Sequence, residues 1–250
     1  MNRKLFISSM LLIAKRDFYV HFSSFSNNLW LFMFFITGAV FWAVTLGRLV
    51  LVPNYFEFLI VGLMVLGVYN TAFNYMNIVS TEVRRGYVKY LLALPVSRGG
   101  LTIGRVLAGA AEGIVYVAIL FGFAVAMIGF PTLVGALTII GTIIILSFCL
   151  SSLGLAIATH FSPGVIDPMS DALGILLIFF STLYYPISLM PQPMRLLASG
   201  NLLSAGANLM RAGFGLQEAS VVDLVVLLLW GLVFGFLSIR GYYRQLKELA

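Results

Sequence analysis

The sequence predicts an all-α integral membrane protein that crosses the bilayer six times. Hydrophobic residues make up 61% of the 250 residues and charged residues only 10%, and the mean hydropathy is +1.03. A soluble domain is roughly 45–50% apolar and about 25% charged, so a water-soluble globule of this length could not bury so much apolar surface. Long apolar segments also exclude the weak alternation of a membrane β-barrel.

Six segments approach the roughly 20 apolar residues that a helix needs to cross the hydrocarbon core. The predicted spans are residues 29–50, 56–79, 103–128, 133–159, 173–189 and 221–239. The fifth is the shortest. We find no internal repeat and expect one membrane domain over residues 1–250.

We expect that the segment before the first span is not a secretory signal. Ser8 and Ser9 interrupt its apolar stretch, and no small-residue cleavage site follows. Apolar side chains recur at roughly helical spacing over residues 3–22. We expect an amphipathic helix that lies on the cytoplasmic membrane surface.

The distribution of basic residues predicts the orientation, because cytoplasmic loops carry an excess of Lys and Arg. With the N-terminus inside and six spans, only Arg48, Arg195 and Arg211 of the fifteen Lys and Arg residues fall outside. We therefore expect both termini in the cytoplasm of a multi-pass protein of the cell membrane.

Two connections are longer than ordinary turns. Residues 80–102 are basic, and residues 190–220 are too apolar for a solvated loop. Proline and glycine divide the second connection into two short helices within residues 190–215. We expect these helices to be half-inserted at the outer surface, surrounded by protein or a water-filled cavity.

The most informative stretch is residues 82–105, which read EVRRGYVKYLLALPVSRGGLTIGR. We expect an amphipathic helix over residues 82–94 that Pro95 ends. Glu82 at its N-terminus suits the helix dipole, and Ser97 is placed to cap the next helix. A basic helix that only fixes topology and touches anionic lipid fits the composition equally well.

This stretch resembles the cytoplasmic loop of permease subunits in the type-2 ATP-binding-cassette (ABC) exporter family. Such loops carry a glutamate, a glycine four residues later, and a run of the form YLL-x-LP-(V/I)-(S/T)-R. The matching residues are Glu82, Gly86, Tyr90, Leu91, Leu92, Leu94, Pro95, Val96, Ser97 and Arg98. The resemblance covers nearly the whole chain, although Leu202 stands where the outer segment of the family often has proline.

The resemblance implies partners and site residues. In the family this loop, residues 82–95 here, is a coupling helix that docks into a cleft of an ATPase subunit. The implied assembly is a homodimer, or a dimer with a similar permease, with two cytoplasmic ATPase subunits that bind ATP and Mg²⁺. The implied coupling residues are Glu82, Arg84, Arg85, Gly86, Leu91, Leu94, Pro95, Ser97 and Arg98. The expected outer gate residues are Tyr184, Tyr185, Asn201 and Arg211, although the two tyrosines also fit interfacial anchors.

Polar residues within the predicted spans are candidates for a translocation path or dimer seam. Asn70, Asn74 and Asn77 share one face of a regular helix, and they either line such a path or form interhelical hydrogen bonds. Glu112 is an acid deep in a span. It could pair across a dimer, hold a cationic substrate, or be a hydrogen-bonded buried carboxylate.

Other chemistry finds no support in the sequence. No phosphate-binding loop of the GxxxxGK[ST] type is present, so we expect no enzyme activity, and no cofactor, in this chain itself. We expect no metal site, because His160, Asp167 and Asp171 lack zinc-type spacing and fit a plain loop between the fourth and fifth spans.

The cargo is the least determined feature. The apolar spans and the ALPVSR form of the loop favour export of a drug-like or lipid-like amphiphile. A lipid-linked polysaccharide is the alternative cargo. A non-transporting membrane anchor or assembly factor is the alternative from another functional class.

Overall fold

The computed structural model describes residues 3–22, 54–73 and 75–248, together with six isolated positions within residues 29–45. These residues form helices and their connections and contain no strand, which confirms the all-α class for this part of the chain. The predicted first span, residues 29–50, lies almost entirely outside the described residues.

The described residues form ten α-helices. In chain order they are α1 (Arg3–Phe22), α2 (Tyr55–Val68), α3 (Tyr75–Arg84), α4 (Tyr87–Ala93), α5 (Arg98–Ile128), α6 (Leu133–His160), α7 (Pro163–Phe179), α8 (Gln192–Ser199), α9 (Leu202–Gly213) and α10 (Val221–Glu248). A π-helical segment, Tyr69–Phe73, follows α2, and a 3₁₀ turn, Ile187–Leu189, precedes α8.

Among the described residues, four stretches are long and apolar enough to cross a membrane: Tyr55–Arg84, Arg98–Ile128, Leu133–His160 and Val221–Glu248. They coincide with the predicted second, third, fourth and sixth spans. At 1.5 Å per residue, helices of about 30 residues exceed the roughly 30 Å of hydrocarbon, so they can extend beyond the membrane at one end or both.

The predicted fifth span, residues 173–189, does not coincide with one helix. Helix α7 begins ten residues earlier and ends at Phe179. It ends there because the side-chain amide of Asn201 donates hydrogen bonds to the carbonyl oxygens of Leu177, at 2.8 Å, and Phe180, at 3.0 Å. The last carbonyls of α7 are thus satisfied by α9 instead of by a further helical turn. Asp171, which the sequence placed in a loop, therefore lies inside α7.

Close packing between helices depends on glycine at several crossings. A Cβ atom on Gly104 would lie 2.7 Å from the carbonyl oxygen of Met10, where α1 packs along α5. A Cβ on Gly135 of α6 would lie 2.1 Å from the carbonyl oxygen of Gly213 of α9. Small residues at such contacts let helix backbones approach each other, as is usual in membrane bundles.

Two ends of the bundle carry the predicted site residues. One end, here called the loop end, contains α1, α4 and the start of α5. The other, here called the hairpin end, contains α8, α9 and the start of α2. The sequence predicts that the loop end is cytoplasmic and the hairpin end is outside.

Candidate functional site

The predicted coupling helix is broken at Gly86. Helix α3 ends at Arg84, Gly86 has a φ of +75°, and the short helix α4 begins at Tyr87. The prediction of one helix over residues 82–94 with Glu82 at its N-terminus is therefore wrong, because Glu82 lies in the last turn of α3. Nothing lies within 4 Å of the position that a Gly86 Cβ would occupy. The left-handed backbone, and not crowding, is what favours glycine there.

Helix α4 rests on the bundle through Val88 and Leu91, which are buried. The opposite side, here called the docking face, is exposed at the loop end. Its residues are Arg84, Arg85, Tyr87, Lys89, Tyr90, Leu94 and Pro95. Of the predicted coupling residues, Leu91 thus faces inward, while Arg84, Arg85, Leu94 and Pro95 face outward. Tyr87 was missed by the sequence analysis, since its exposure depends on the break at Gly86.

The far end of this loop is fixed by two serines. The Ser97 side chain accepts a hydrogen bond from the backbone N–H of Gly100 at 3.0 Å, which is the predicted cap of α5. The backbone N–H of Ser97 donates to the hydroxyl of Ser9 on α1 at 3.0 Å. The loop is therefore tied to α1 where it enters α5.

Two cations and two anions, carried by α1 and by the two helices that the loop connects, form a cluster, here called the ion cluster. The Arg105 guanidinium donates to Asp17 Oδ2 at 3.0 Å and to the carboxylate of Glu82. The Arg16 guanidinium also donates to Glu82, and its Nε lies 2.9 Å from Asp17 Oδ1. The Tyr75 hydroxyl donates to Asp17. Glu82 is therefore engaged inside the subunit.

The cluster is deeply placed and joins separate parts of the chain. Arg105 is 0% exposed and Asp17 is also buried. The four charges come from α1, α3 and α5, and Tyr242 of α10 lies beside Arg105. Since opposite charges balance in number, the cluster can remain ionised in a protein interior, where an unpaired charge would be costly. Glu82 and Arg105 lie on the two helices that the loop connects.

Two of the four predicted gate residues, Arg211 and Tyr184, meet at the hairpin end. Arg211 is 1% exposed, and its guanidinium lies 3.4 Å from the centroid of the Phe58 ring. It donates hydrogen bonds to the carbonyl oxygens of Phe58, at 3.1 Å, and Leu183, at 3.2 Å. The Tyr55 hydroxyl donates to the carbonyl oxygen of Tyr184 at 2.8 Å. These contacts, here called the clasp, hold the start of α2 against residues 180–186 and α9.

The remaining gate residues have different roles in this clasp. Asn201 caps α9 by accepting from the backbone N–H of Leu203 at 2.8 Å, while its amide holds the end of α7. Tyr185 is 44% exposed and is an electrostatic neighbour of both Tyr55 and Tyr184. Burial lowers the pKa of the Arg211 guanidinium to about 9, so Arg211 remains a cation at neutral pH.

A family model described as ABC-2 type transporter matches residues 3–214. The chain belongs to the ABC-2 type transporter family. The matched region contains the ion cluster, the docking face and the clasp at the hairpin end. The comparison with curated proteins gave no significant match.

Membership of the ABC-2 family establishes the general role of the chain. It is a type-2 ABC permease subunit, that is, a multi-pass membrane component of a transporter and not itself catalytic. Permeases of this family normally work with a separate ATPase subunit.

The polar residues of the second span lie around the π-helical segment of this permease. The side-chain amide of Asn70 donates to the carbonyl oxygen of Leu66 at 3.0 Å, and the Thr71 hydroxyl donates to that of Gly67 at 2.9 Å. Asn74 lies outside the described residues, and Asn77 is half-buried. The π-helical segment interrupts the regular spacing from which the shared face was predicted.

Glu112 is half-buried on α5, one turn before Tyr116. It stands apart from the ion cluster, in which Arg105 pairs with Asp17 and Glu82. Within the described residues, no group of three or more His, Cys, Asp or Glu side chains could hold a metal ion.

Proposed function

We propose that this permease is the membrane-spanning subunit of an ATP-driven exporter and that its docking face is gripped by a cytoplasmic ABC ATPase subunit. The observation that carries the proposal is that the docking face begins two residues after Glu82 and lies on the short helix that connects the two helices carrying Glu82 and Arg105. The docking face, on which the ATPase subunit acts, thus lies close in the chain to the ion cluster, which joins the membrane helices to one another.

The docking face has the composition of a protein-binding surface. It exposes two tyrosines, Tyr87 and Tyr90, together with arginine side chains and Leu94. Tyrosine and arginine are enriched among residues that dominate binding energy at interfaces. A helix that merely marked topology would need its positive charges but not two exposed tyrosines.

The ion cluster supports transmission of movement from that face. The loop leaves α3 just after Glu82 and enters α5 seven residues before Arg105, so a displacement of α4 acts on both helices. Arg105 and Glu82 are held together by charge-assisted hydrogen bonds. The two helices and α1, which carries Asp17, therefore move as one unit.

The proposed complete transporter has the assembly that the family resemblance implies. Two permeases, identical or similar, pair in the membrane with six spans each and both termini in the cytoplasm, and two ATPase subunits bind ATP and Mg²⁺. Closure of the ATPase subunits pushes the docking face, and the helices flanking the loop shift at the dimer seam. A drug-like or lipid-like amphiphile then passes along the seam, past Asn70, Asn77 and Glu112, and leaves through the clasp around Arg211.

Replacing Tyr90 with Ala tests the docking face. Tyr90 is 74% exposed on α4, and Tyr19 is 73% exposed on α1, so Tyr19→Ala is a matched control that removes a similarly exposed ring at the same end of the bundle. We expect Tyr90→Ala to weaken binding of the ATPase subunit about tenfold or more, which corresponds to about 1.4 kcal/mol, since truncated interface tyrosines are frequent hot spots.

The measurement is the Kd of the purified ATPase subunit for the permease in nanodiscs, together with ATP turnover of the complex. Tyr19→Ala should leave both close to wild type. Equal Kd values for wild type, Tyr90→Ala and Tyr19→Ala would contradict the proposed docking face.

A further inference from the structure

A groove of about 340 Å³ lies between α6, α9 and α10 at the hairpin end. Its lining includes none of the residues that form the ion cluster or the contacts of Arg211. Its lining residues are Leu137, Thr138, Gly141, Thr142, Ile145, Leu209, Ala219, Ser220, Val221 and Leu224. Pockets of this size hold small molecules or parts of larger ones.

The groove presents an apolar surface despite its threonines. The Thr138 hydroxyl donates to the carbonyl oxygen of Val134 at 2.9 Å, and the Thr142 hydroxyl donates to that of Thr138 at 2.8 Å. Both hydroxyl protons are thus used within α6. Nothing lies within 4 Å of the position that a Gly141 Cβ would occupy, so the floor of the groove is open. An aliphatic chain fits such a surface, because it needs no hydrogen-bond partner.

The groove is continuous with the lipid-facing surface of two helices of membrane-spanning length. Large apolar side chains are exposed beside it on α6, including Val134 and Ile140, and on α10, including Val225 and Leu228. From Leu137 to Ile145 it follows α6 for about 12 Å at 1.5 Å per residue. One end lies at Ser220, where α10 begins, and the other lies deeper along both helices.

Two acidic residues adjoin lining residues of the groove in the chain: Glu218 precedes Ala219, and Asp223 precedes Leu224. Residues 214–223 contain Glu218 and Asp223 but no Lys or Arg. Glu218 is exposed, and Asp223 accepts a hydrogen bond from the side-chain amide of Asn208 at 3.3 Å. A headgroup with a positively charged amine complements these two carboxylates, whereas an anionic headgroup is repelled by them.

We propose that this groove holds one acyl chain of an amine-bearing membrane phospholipid in the leaflet at the hairpin end. The chain lies along α6 and the ammonium group lies near Glu218. Leu209 forms one wall of the groove on α9, the helix that also carries Arg211. The bound chain therefore packs against the same helix as the clasp. This site is separate from the proposed cargo path and does not depend on ATP.

The test uses the full-length permease in nanodiscs of phosphatidylglycerol, whose headgroup carries no positively charged nitrogen and so does not compete for Glu218. A trace of phosphatidylethanolamine or phosphatidylglycerol carries a photoactivatable group on its acyl chain, and labelled peptides are mapped by mass spectrometry. Gly141→Leu fills the floor of the groove. Gly122→Leu is the matched control, because Gly122 on α5 also has nothing within 4 Å of the position that its Cβ would occupy.

We expect the phosphatidylethanolamine probe to label residues 137–145 and 219–224 of the wild type in preference to exposed parts of α5. Gly141→Leu should reduce that labelling about tenfold, corresponding to about 1.4 kcal/mol, and Gly122→Leu should leave it unchanged. The phosphatidylglycerol probe should label the groove more weakly, and Glu218→Gln should reduce the difference between the two probes.

Labelling spread evenly over all exposed helices, or unaffected by Gly141→Leu, would overturn the proposal. Equal labelling by both probes would overturn the assignment of the headgroup. If Gly141→Leu does not fold, the comparison of the two probes on the wild type and on Glu218→Gln still decides. Neither measurement involves ATPase binding or transport, so its outcome is separate from that of the proposed function.

Discussion

Replacing Arg105 with Met should be among the most damaging single changes in this permease. Arg105 is fully buried and donates to both Asp17 and Glu82. Without Arg105, the two anions Asp17 and Glu82 face a single cation, Arg16, in a cluster that is largely shielded from water. Breaking a buried ion pair in this way costs about 3–5 kcal/mol. The measurement is the free energy of unfolding in an SDS titration, together with ATP turnover of the complex with its ATPase subunit.

Two variants separate the effect of charge balance from that of lost packing. The double variant Arg105→Met/Glu82→Gln again has equal numbers of cations and anions, and we expect it to be more stable than Arg105→Met alone, because removing both partners leaves no unpaired buried charge. We expect its turnover to stay low, since α3 and α5 are no longer joined by charge. Arg244→Met removes an exposed pair with Glu248 and should change stability by less than about 0.5 kcal/mol. Equal stability of Arg105→Met and Arg244→Met would show that the ion cluster does not hold these helices together.

Replacing Arg211 with Met should open the hairpin end. The Arg211 guanidinium donates to the carbonyl oxygens of Phe58 and Leu183 and lies over the Phe58 ring. Hydrogen bonds from charged groups contribute about 1.5–3 kcal/mol each, and methionine retains most of the volume without any donor. We expect a loss of about 3 kcal/mol or more and exposure of the buried residue Leu183.

The exposure is measured by labelling Leu183→Cys with a membrane-impermeant maleimide, in a background where the native buried Cys149 is replaced with Ser. Arg195→Met is the matched control. Arg195 also donates to two backbone carbonyls, those of Met190 and Ser188, but both acceptors lie within seven residues of it in the chain. Labelling should increase strongly with Arg211→Met and little with Arg195→Met. Comparable labelling in both variants would contradict a specific role of Arg211 in closing this end.

Much of the fold follows from composition and periodicity. Apolar runs of sufficient length locate the second, third, fourth and sixth spans, because only helices satisfy their backbone groups within lipid. The cap of α5 was also predicted from local sequence, because Ser97 stands directly before an apolar run. The order of glutamate, glycine and the Leu-Pro-Val-Ser-Arg run was enough to suggest the family that the comparison then established.

The errors arose where long-range contacts decide local structure. The end of α7 is set by Asn201, which lies more than twenty residues later in the chain, so no local signal could place it. Glu82 was predicted to begin the coupling helix, but it lies in the last turn of α3, where its partners are Arg16 and Arg105, 66 and 23 residues away. Gly86 could have suggested the break, yet a glycine inside an amphipathic pattern is also compatible with a continuous helix.

The central claim is that a separate ATPase subunit grips the loop between α3 and α5. The most direct measurement places a photoactivatable amino acid at Tyr90, Tyr19 or Tyr185 in turn and illuminates native membranes that contain the ATPase subunit. The account predicts efficient capture of that subunit from position 90, weak capture from position 19, and none from position 185 at the hairpin end. Capture from position 185, or equal absence of capture from all three positions, would contradict it.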